Sequence, residues 1–281
     1  MKMISSRQNP AFKVLRDLVG PPRDRRAHGL AWCEGDRLAH AFAQGARNRP
    51  WFDHGGLILV ASSAPILDGL DSEFQTVSDE IWVLNPELFA EISQIETSPG
   101  WGLVVPAPLH DVTVAHSDAS TSTRHAAAIT GDVVVLDRLQ DPGNVGAILR
   151  SAAAAGVTEV WNVSGTVDVW SPKVVRSAMG AHGVLRLSAP MTQEQVITAA
   201  RDRSVTLMAT GLDSKAVSLF SASLILAPPL GWIFGQEADG VSDGLLNAAQ
   251  RVTIPMAPTV ESLNVAAAAS ICLFETMRRR S

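Results

Sequence analysis

The residue types best suited to chemistry stand in three short stretches of the second half of the chain. The first, LDRLQDPGNVGAILRSAAAAGV (136–157), places Asn144 just after a Pro142-Gly143 turn and Arg150 further along the same segment. An amide can both donate and accept, and a guanidinium keeps its charge at any ordinary pH. Val145, Ile148, Leu149 and Ala152 recur at i, i+3, i+4 and i+7, which predicts a helix whose buried stripe leaves Arg150 off to one flank. Gly146 and Ala147 leave open space one turn before it. Asn144 and Arg150 therefore read either as a helix cap with a surface charge, or as two groups facing a ligand.

The second stretch is DVWSPKVVRSAMGAHGVLRL (168–187). Ser171-Pro172 is a sound helix start and Gly180 a plausible end. Capping leaves Arg176 and Ser177 unexplained, and an arginine there offers a planar fork of donors for phosphate. The third runs from Gly235 to Glu275, as FGQEADGVSD and then RVTIPMAPTVESLNVAAAASICLFE. Gly235 ends an apolar run, where a missing side chain lets a ligand approach the backbone. Ser262 is the expected cap of the last helix, which puts Asn264 inside its first turn with an amide free for other contacts. The run Ala266–Ala269 predicts close packing of that helix. A dinucleotide-binding turn is disfavoured, because DPGNVG lacks the GxGxxG spacing. Cys33 and Cys272 form no CxxC or Cys/His cluster, so neither a metal site nor a disulfide framework is expected.

Continuous apolar runs at 132–136, 159–163, 205–210, 231–235 and 251–255 predict strands buried on both faces. Helical segments separate them, so 127–281 reads as a parallel sheet wrapped by helices, with the three stretches at strand carboxyl ends. Earlier, LILVA (57–61), IWVL (81–84) and GLVVPAP (102–108) alternate with helical patterns at 36–47 and 86–94. This predicts a small α/β domain over 1–108. The polar, Ser/Thr-rich segment between the two predicts a linker over 109–126.

Hydrophobic residues make up 46% and charged residues 18%, a composition for a folded core rather than disorder. The net charge is −5, yet residues 1–50 hold ten Lys/Arg against four Asp/Glu, leaving −11 on the remainder. A basic segment on an acidic body is the asymmetry expected where one part meets phosphate, or else a solvated helix face. The uncharged stretch 216–235 is interrupted by Pro228 and Pro229, and MKMISSRQNP has no signal-peptide core, so a soluble cytoplasmic protein is expected.

DPGNVGAILR, SPKVVRSAMGA, FGQEADG and IPM…ESLNVAAAASICLFE, in this order over 131–278, resemble the three motifs of the TrmH-like (SpoU) RNA 2′-O-ribose methyltransferases. ISSRQNPAFKVLRDL resembles, more loosely, the family's N-terminal RNA-binding domain. The resemblance implies an α/β fold with a parallel-sheet catalytic domain and a C-terminal trefoil knot, preceded by a small α/β RNA-binding domain. It implies S-adenosylmethionine as cofactor and a homodimer. Gly235, Ile254 and Leu263 would line the cofactor pocket, with Thr210 and Gly211 as neighbours. Arg150 would activate the ribose hydroxyl or steady the forming alkoxide, since an arginine is a poor base. Asn144, Ser262 and Asn264 would position it, Glu237 would orient this network or hold a loop, and Arg176 would contact RNA. Trp170 reads as a half-buried packing residue ahead of a base-stacking one, His182 as a surface or capping residue ahead of a substrate contact, and Arg278, Arg279 and Arg280 as complements to a helix C-terminus. Ribosomal RNA is expected ahead of tRNA; the competing reading is a non-catalytic RNA-binding protein of ribosome assembly.

Overall fold

The computed structural model describes residues 1–48, 56–71, 74, 76, 78–112, 131–211 and 216–281. Most of the linker expected at 109–126 lies outside the described residues. The chain forms two compact units, one of Met1–Pro108 with Asp168–Val184, the other of Leu109–Val167 with Leu185–Ser281.

The first unit runs β1 (Lys2–Ile4), α1 (Pro10–Val19), α2 (Pro22–His28), β2 (Leu30–Glu34), α3 (Asp36–Asn48), β3 (Ile58–Ala61), α4 (Ala64–Asp68), β4 (Glu80–Leu84), α5 (Pro86–Ile92) and β5 (Trp101–Pro106). Its sheet has the order β1-β4-β3-β5-β2, with β2 and β3 antiparallel to β5 and the other pairs parallel. Asn9 caps α1 by accepting from the Ala11 N–H at 3.0 Å, and Pro10 starts it. The helix buries Phe12, Leu15 and Leu18 against Trp32, Trp82 and Phe89. Each such side chain contributes about 1.5–3 kcal/mol of burial.

Two elements of this unit are tied down by buried charge. α2, PRDRRAH, has no hydrophobic stripe; what it buries is Arg25, paired with Asp168 at 2.8 Å. β2 ends on the buried Glu34, whose carboxylate accepts from the hydroxyls of Ser93 and Ser98 and from the Gln94 N–H. In the segment Asp168–Val184, Ser171 caps the short helix Pro172–Ala178. Trp170 and His182 pack on each other with ring centroids 4.5 Å apart, and both rings lie near Phe42. A Cβ at Gly180 would collide with the methyl of Ala41, so that residue must be glycine for space as well as for its φ of 88°.

The second unit contains β6 (Val133–Asp137), α6 (Pro142–Ala154), β7 (Glu159–Val163), β8 (Arg186–Met191), α7 (Gln193–Asp202), β9 (Thr206–Thr210), β10 (Val217–Ser218), β11 (Leu230–Gly235), α8 (Asp243–Ala248), β12 (Gln250–Thr253) and α9 (Val265–Arg280). All seven strands are parallel, in the order β10-β12-β9-β11-β6-β7-β8. Val133, Val135, Trp161, Ala209 and Ile233 are fully buried on one side of this sheet, under α7 and α8. On α6 the stripe Val145, Ile148, Leu149 and Ala152 is completely buried. α9 packs against α6 and β11, and Trp232 Nε1 donates to Thr276 Oγ1 at 3.0 Å.

Edge strand β8 is a further departure from the apolar-run pattern, because it carries Ser188 and Pro190. An edge position tolerates a proline, which lacks the donor an inner strand must supply. At the amino end of β7, Glu159 is buried and accepts from His110, from both terminal nitrogens of Arg203 and from Trp161. Burial alone would raise its pKa. These donors reverse that and hold the carboxyl well below its usual range.

Candidate active site

At the carboxyl ends of β9, β11 and β12 the second unit has a cavity of about 650 Å³. Thr210 and Gly211 enter it from the end of β9, Gly235 from the end of β11, and Ile254 from just beyond β12. Leu263, Ser262 and Asn264 line it from the segment leading into α9. The wall is apolar at Ile254, Met256, Leu263 and Val265 and acidic at Glu237, Asp239 and Glu261; among the described residues no Lys or Arg lines it.

The loop from Gln236 to Val241 folds back over the end of β11. Gly240, at φ 69°, donates its N–H to the Gln236 carbonyl at 2.8 Å. A Cβ at Gly235 would run into the backbone of Gly240 and Val241. The glycine expected to admit a ligand is therefore required first by its own chain. The far end of the loop is held by Asp137, a completely buried carboxylate at the end of β6 that accepts from the Ser242 N–H at 2.6 Å. Its second oxygen accepts from Arg138 Nε at 3.3 Å, and Arg138 has the unusual φ of 58°. Sequence reasoning passed over this pair. The available signal was a carboxylate ending an otherwise apolar strand, since a buried charge there must find donors.

Three polar side chains form one directed chain. Asn264 is the N-cap of α9, its Oδ1 accepting from Ala266 N at 2.9 Å and Ala267 N at 3.2 Å. Its Nδ2 donates to Asn144 Oδ1 at 2.9 Å, and Asn144 Nδ2 donates to Glu237 Oε1 at 2.7 Å. The orientation is self-consistent. The helix N–H groups demand the oxygen of Asn264, which turns its amide nitrogen to Asn144, which in turn offers its own nitrogen to an acceptor-only carboxylate. This corrects the expected helix start: Asn264, not Ser262, is the cap, because regular helix begins only at Val265. Ser262 is left exposed at the cavity wall. Asn144 is likewise not a cap. Asp141 caps α6, accepting from the Asn144 N–H at 2.7 Å.

Arg150 lies on the exposed side of α6 and makes no hydrogen bond or ion pair among the described residues. It does not line the cavity, and neither does Asn144 of the same helix, which is joined to the wall through Asn264 and Glu237. Arg176 stands in the first unit, its Nη1 donating to the Gln94 carbonyl at 3.3 Å. His182 is buried and its Nε2 bonds the Val169 carbonyl at 2.7 Å; burial depresses its pKa to about 4 despite that bond and the nearby Asp168. Arg279 reaches the carbonyls of Leu219, Ser221 and Leu224, and Arg280 that of Leu226, so these arginines bind a neighbouring segment. Among the described residues no group of His, Cys, Asp and Glu could hold a metal ion, and no helix is long and apolar enough to cross a membrane.

The sequence pattern of the SpoU rRNA Methylase family matches residues 132–274. The chain is 31% identical over 280 residues to an uncharacterized tRNA/rRNA methyltransferase of Synechocystis sp., covering 99% of this chain and 94% of that one. It is 36% identical over 162 residues to the 23S rRNA (guanosine-2′-O-)-methyltransferase RlmB of Xanthomonas axonopodis pv. citri, covering 55% of this chain and 61% of that one. Among solved structures, the AdoMet-bound rRNA methyltransferase from Sinorhizobium meliloti is similar at a TM-score of 0.78 and 25% identity, over 99% of this chain and 98% of that one.

Proposed function

The chain belongs to the SpoU rRNA Methylase family, and on that footing we propose that it methylates a ribose 2′-hydroxyl of ribosomal RNA, with S-adenosylmethionine as donor. The observation that carries this reading is the cavity lined by Asn264 and Glu237, which Asn144 joins behind the wall. Its volume of about 650 Å³ is in the range of cofactor sites. Its chemistry fits a molecule with an apolar body and positive sulfonium and ammonium groups. It suits a pyrophosphate cofactor poorly, because the wall carries three carboxylates that would repel phosphate oxygens.

When bound, the cofactor supplies a methyl group already activated for in-line displacement. The chain's own residues must hold it, align the acceptor and remove a proton. Gly235, Gly211 and Thr210 would hold the cofactor through their backbone groups, and Ile254 and Leu263 would enclose it. Asn144, Ser262 and Asn264 position the hydroxyl, and Glu237 keeps the two amides facing one way. Arg150 is exposed and has no hydrogen bond or ion pair among the described residues, so its charge is available to steady the forming alkoxide, with the proton leaving to water. Arg176 contacts the RNA.

The same reading includes a homodimer, supported by the apolar side chains left exposed on and beside α9: Phe274 at 41%, Met277 at 42%, Phe220 at 55% and Ile225 at 73%. It includes the family's trefoil knot, with which the return of α9 onto α6 is consistent. It also includes a first unit that binds RNA and residence in the cytoplasm, where the buried thiols Cys33 and Cys272 stay reduced.

The test is transfer of labelled methyl from S-adenosylmethionine to protein-free ribosomal RNA, followed by nucleoside analysis. A 2′-O-methylnucleoside is expected, with one site lost from rRNA of a deletion strain. Label on a base, or loss of a tRNA site alone, would overturn the reading.

A further inference from the structure

We propose that Arg138 is a positioning residue for the transfer: its side chain ties the loop Gln236–Val241, one wall of the cavity, to the end of β6 and so holds Glu237 against Asn144. The inference rests on the reading of this cavity as the donor site. Arg138 stands at φ 58°, in the left-handed region that glycine enters freely and a long side chain only at a cost. Met179 and Ser204 are the other non-glycine residues with positive φ among the described residues. Both lie at the end of a helix, where that geometry closes the last turn. Arg138 instead follows directly on strand β6, so no helix end accounts for it.

What the side chain holds offsets that cost. Asp137 is completely buried, and a buried carboxylate needs a partner. The Ser242 N–H donates to it at 2.6 Å, and Arg138 Nε at 3.3 Å brings the one cation paired with it among the described residues. Nη2 of the same guanidinium donates to the Gly240 carbonyl at 3.5 Å. Two donors of one planar group thus join the turn after β6 to the far side of the loop. The two turns begin side by side, because Asp137 is the register partner of Gly235. The arginine stem is braced in turn. A Cβ on Gly165 would lie 3.4 Å from Arg138 Cγ, and Gln140 Nε2 donates to the carbonyls of both Arg138 and Gly165. Glu237 sits between the tied ends of the loop and accepts from Asn144 at 2.7 Å. Release at Gly240 would therefore loosen the cavity wall and the carboxylate that orients the amides together.

The experiment compares wild type, R138A, R138G, R138K and D137N/R138G as full chains. Arg138→Gly removes the guanidinium and the backbone cost together. The double variant also leaves no carboxylate buried without a cation, which keeps the test readable where Arg138→Ala fails to fold. Calorimetric binding of S-adenosylhomocysteine should be about threefold to tenfold weaker in every variant that lacks the guanidinium, the worth of one hydrogen bond. R138G should nevertheless melt above R138A, since glycine accepts the positive φ. R138K keeps a cation beside Asp137 and should bind more tightly than R138G. KM for RNA should not move, while kcat should fall. In an E237A background, R138G should lower kcat by less than about twofold, because the group it positions is gone. Wild-type affinity in R138G or in D137N/R138G would overturn the tie, and kcat losses that multiply in R138G/E237A would overturn its action through Glu237. A wild type that binds S-adenosylhomocysteine more tightly than R138G yet methylates no RNA would leave the tie standing and remove the enzymatic reading instead.

Discussion

Asn264 donates through Nδ2 to Oδ1 of Asn144 at 2.9 Å, joining the cap of α9 to the first turn of α6. One side chain thus does two separable things: its oxygen caps a helix and its nitrogen orients a second amide. Aspartate caps as well as asparagine but has no nitrogen to donate. Asn264→Asp should therefore leave the melting temperature unchanged and cut methyl transfer by roughly threefold to tenfold, the worth of about 0.5–1.5 kcal/mol for one hydrogen bond lost. Asn264→Ala should lose the same activity and about 1 kcal/mol of stability besides. Glu237→Gln, which can still offer an oxygen to Asn144, should be the mildest of the three. Equal activity in wild type and Asn264→Asp would remove the amide chain from the mechanism.

Arg150 is exposed and makes no hydrogen bond or ion pair among the described residues, so little of the fold depends on it. Arg150→Ala should melt within about 1 °C of wild type, since exposed substitutions usually change stability by less than 0.5 kcal/mol. It should nevertheless lose at least about a hundredfold in kcat, the scale seen when an oxyanion-stabilising donor is removed. Lysine at this position would keep a charge and should recover part of that rate. The measurement is kcat and KM for RNA with a melting curve on each protein; a rate near wild type in Arg150→Ala would sink both readings of this residue.

Much of this site was legible because it obeys two periodicities. The stripe Val145, Ile148, Leu149 and Ala152 fixes which way α6 faces, and therefore that Arg150 stays outside. The short apolar runs around Val134, Trp161 and Ile233 mark strands buried on both faces. What escaped was held by polar groups whose partners are distant in sequence. α2 is anchored by Arg25 on Asp168, and β2 ends on a carboxylate satisfied by Ser93 and Ser98. The start of α9 was misplaced because Ser262 and Asn264 are both good caps, and only the choice of partner N–H groups decides between them.

Gly235 offers a sharper test of the loop that carries Glu237. Its missing Cβ makes room for the backbone of Gly240 and Val241, which unlike a side chain cannot rotate away. Gly235→Ala should destabilise the second unit by about 1–3 kcal/mol, the usual cost of overpacking. It should also abolish measurable S-adenosylhomocysteine binding, because Gln236–Val241 forms one wall of the cavity. Calorimetry beside thermal melting checks both. An alanine variant that binds the ligand normally would show that the loop is free to move away from β11.

His182 gives a pH dependence with a definite sign. Burial depresses its pKa from 6.5 to about 4, so between those values the unfolded chain binds the proton and the folded chain does not. Stability is full above about pH 6.5, falls as pH drops, and levels off below about 4. The total loss is on the order of 3 kcal/mol, from 1.36 kcal/mol per pKa unit. Glu159 acts lower down, since its depressed pKa removes stability only as pH falls below the ordinary carboxylate value of 4.5. His182→Gln removes the titrating ring and can still offer an N–H to the Val169 carbonyl. Its urea midpoint should change less than that of wild type between pH 7 and 4.5. Parallel profiles for the two proteins would mean that the imidazole takes up its proton without leaving its place beside Trp170.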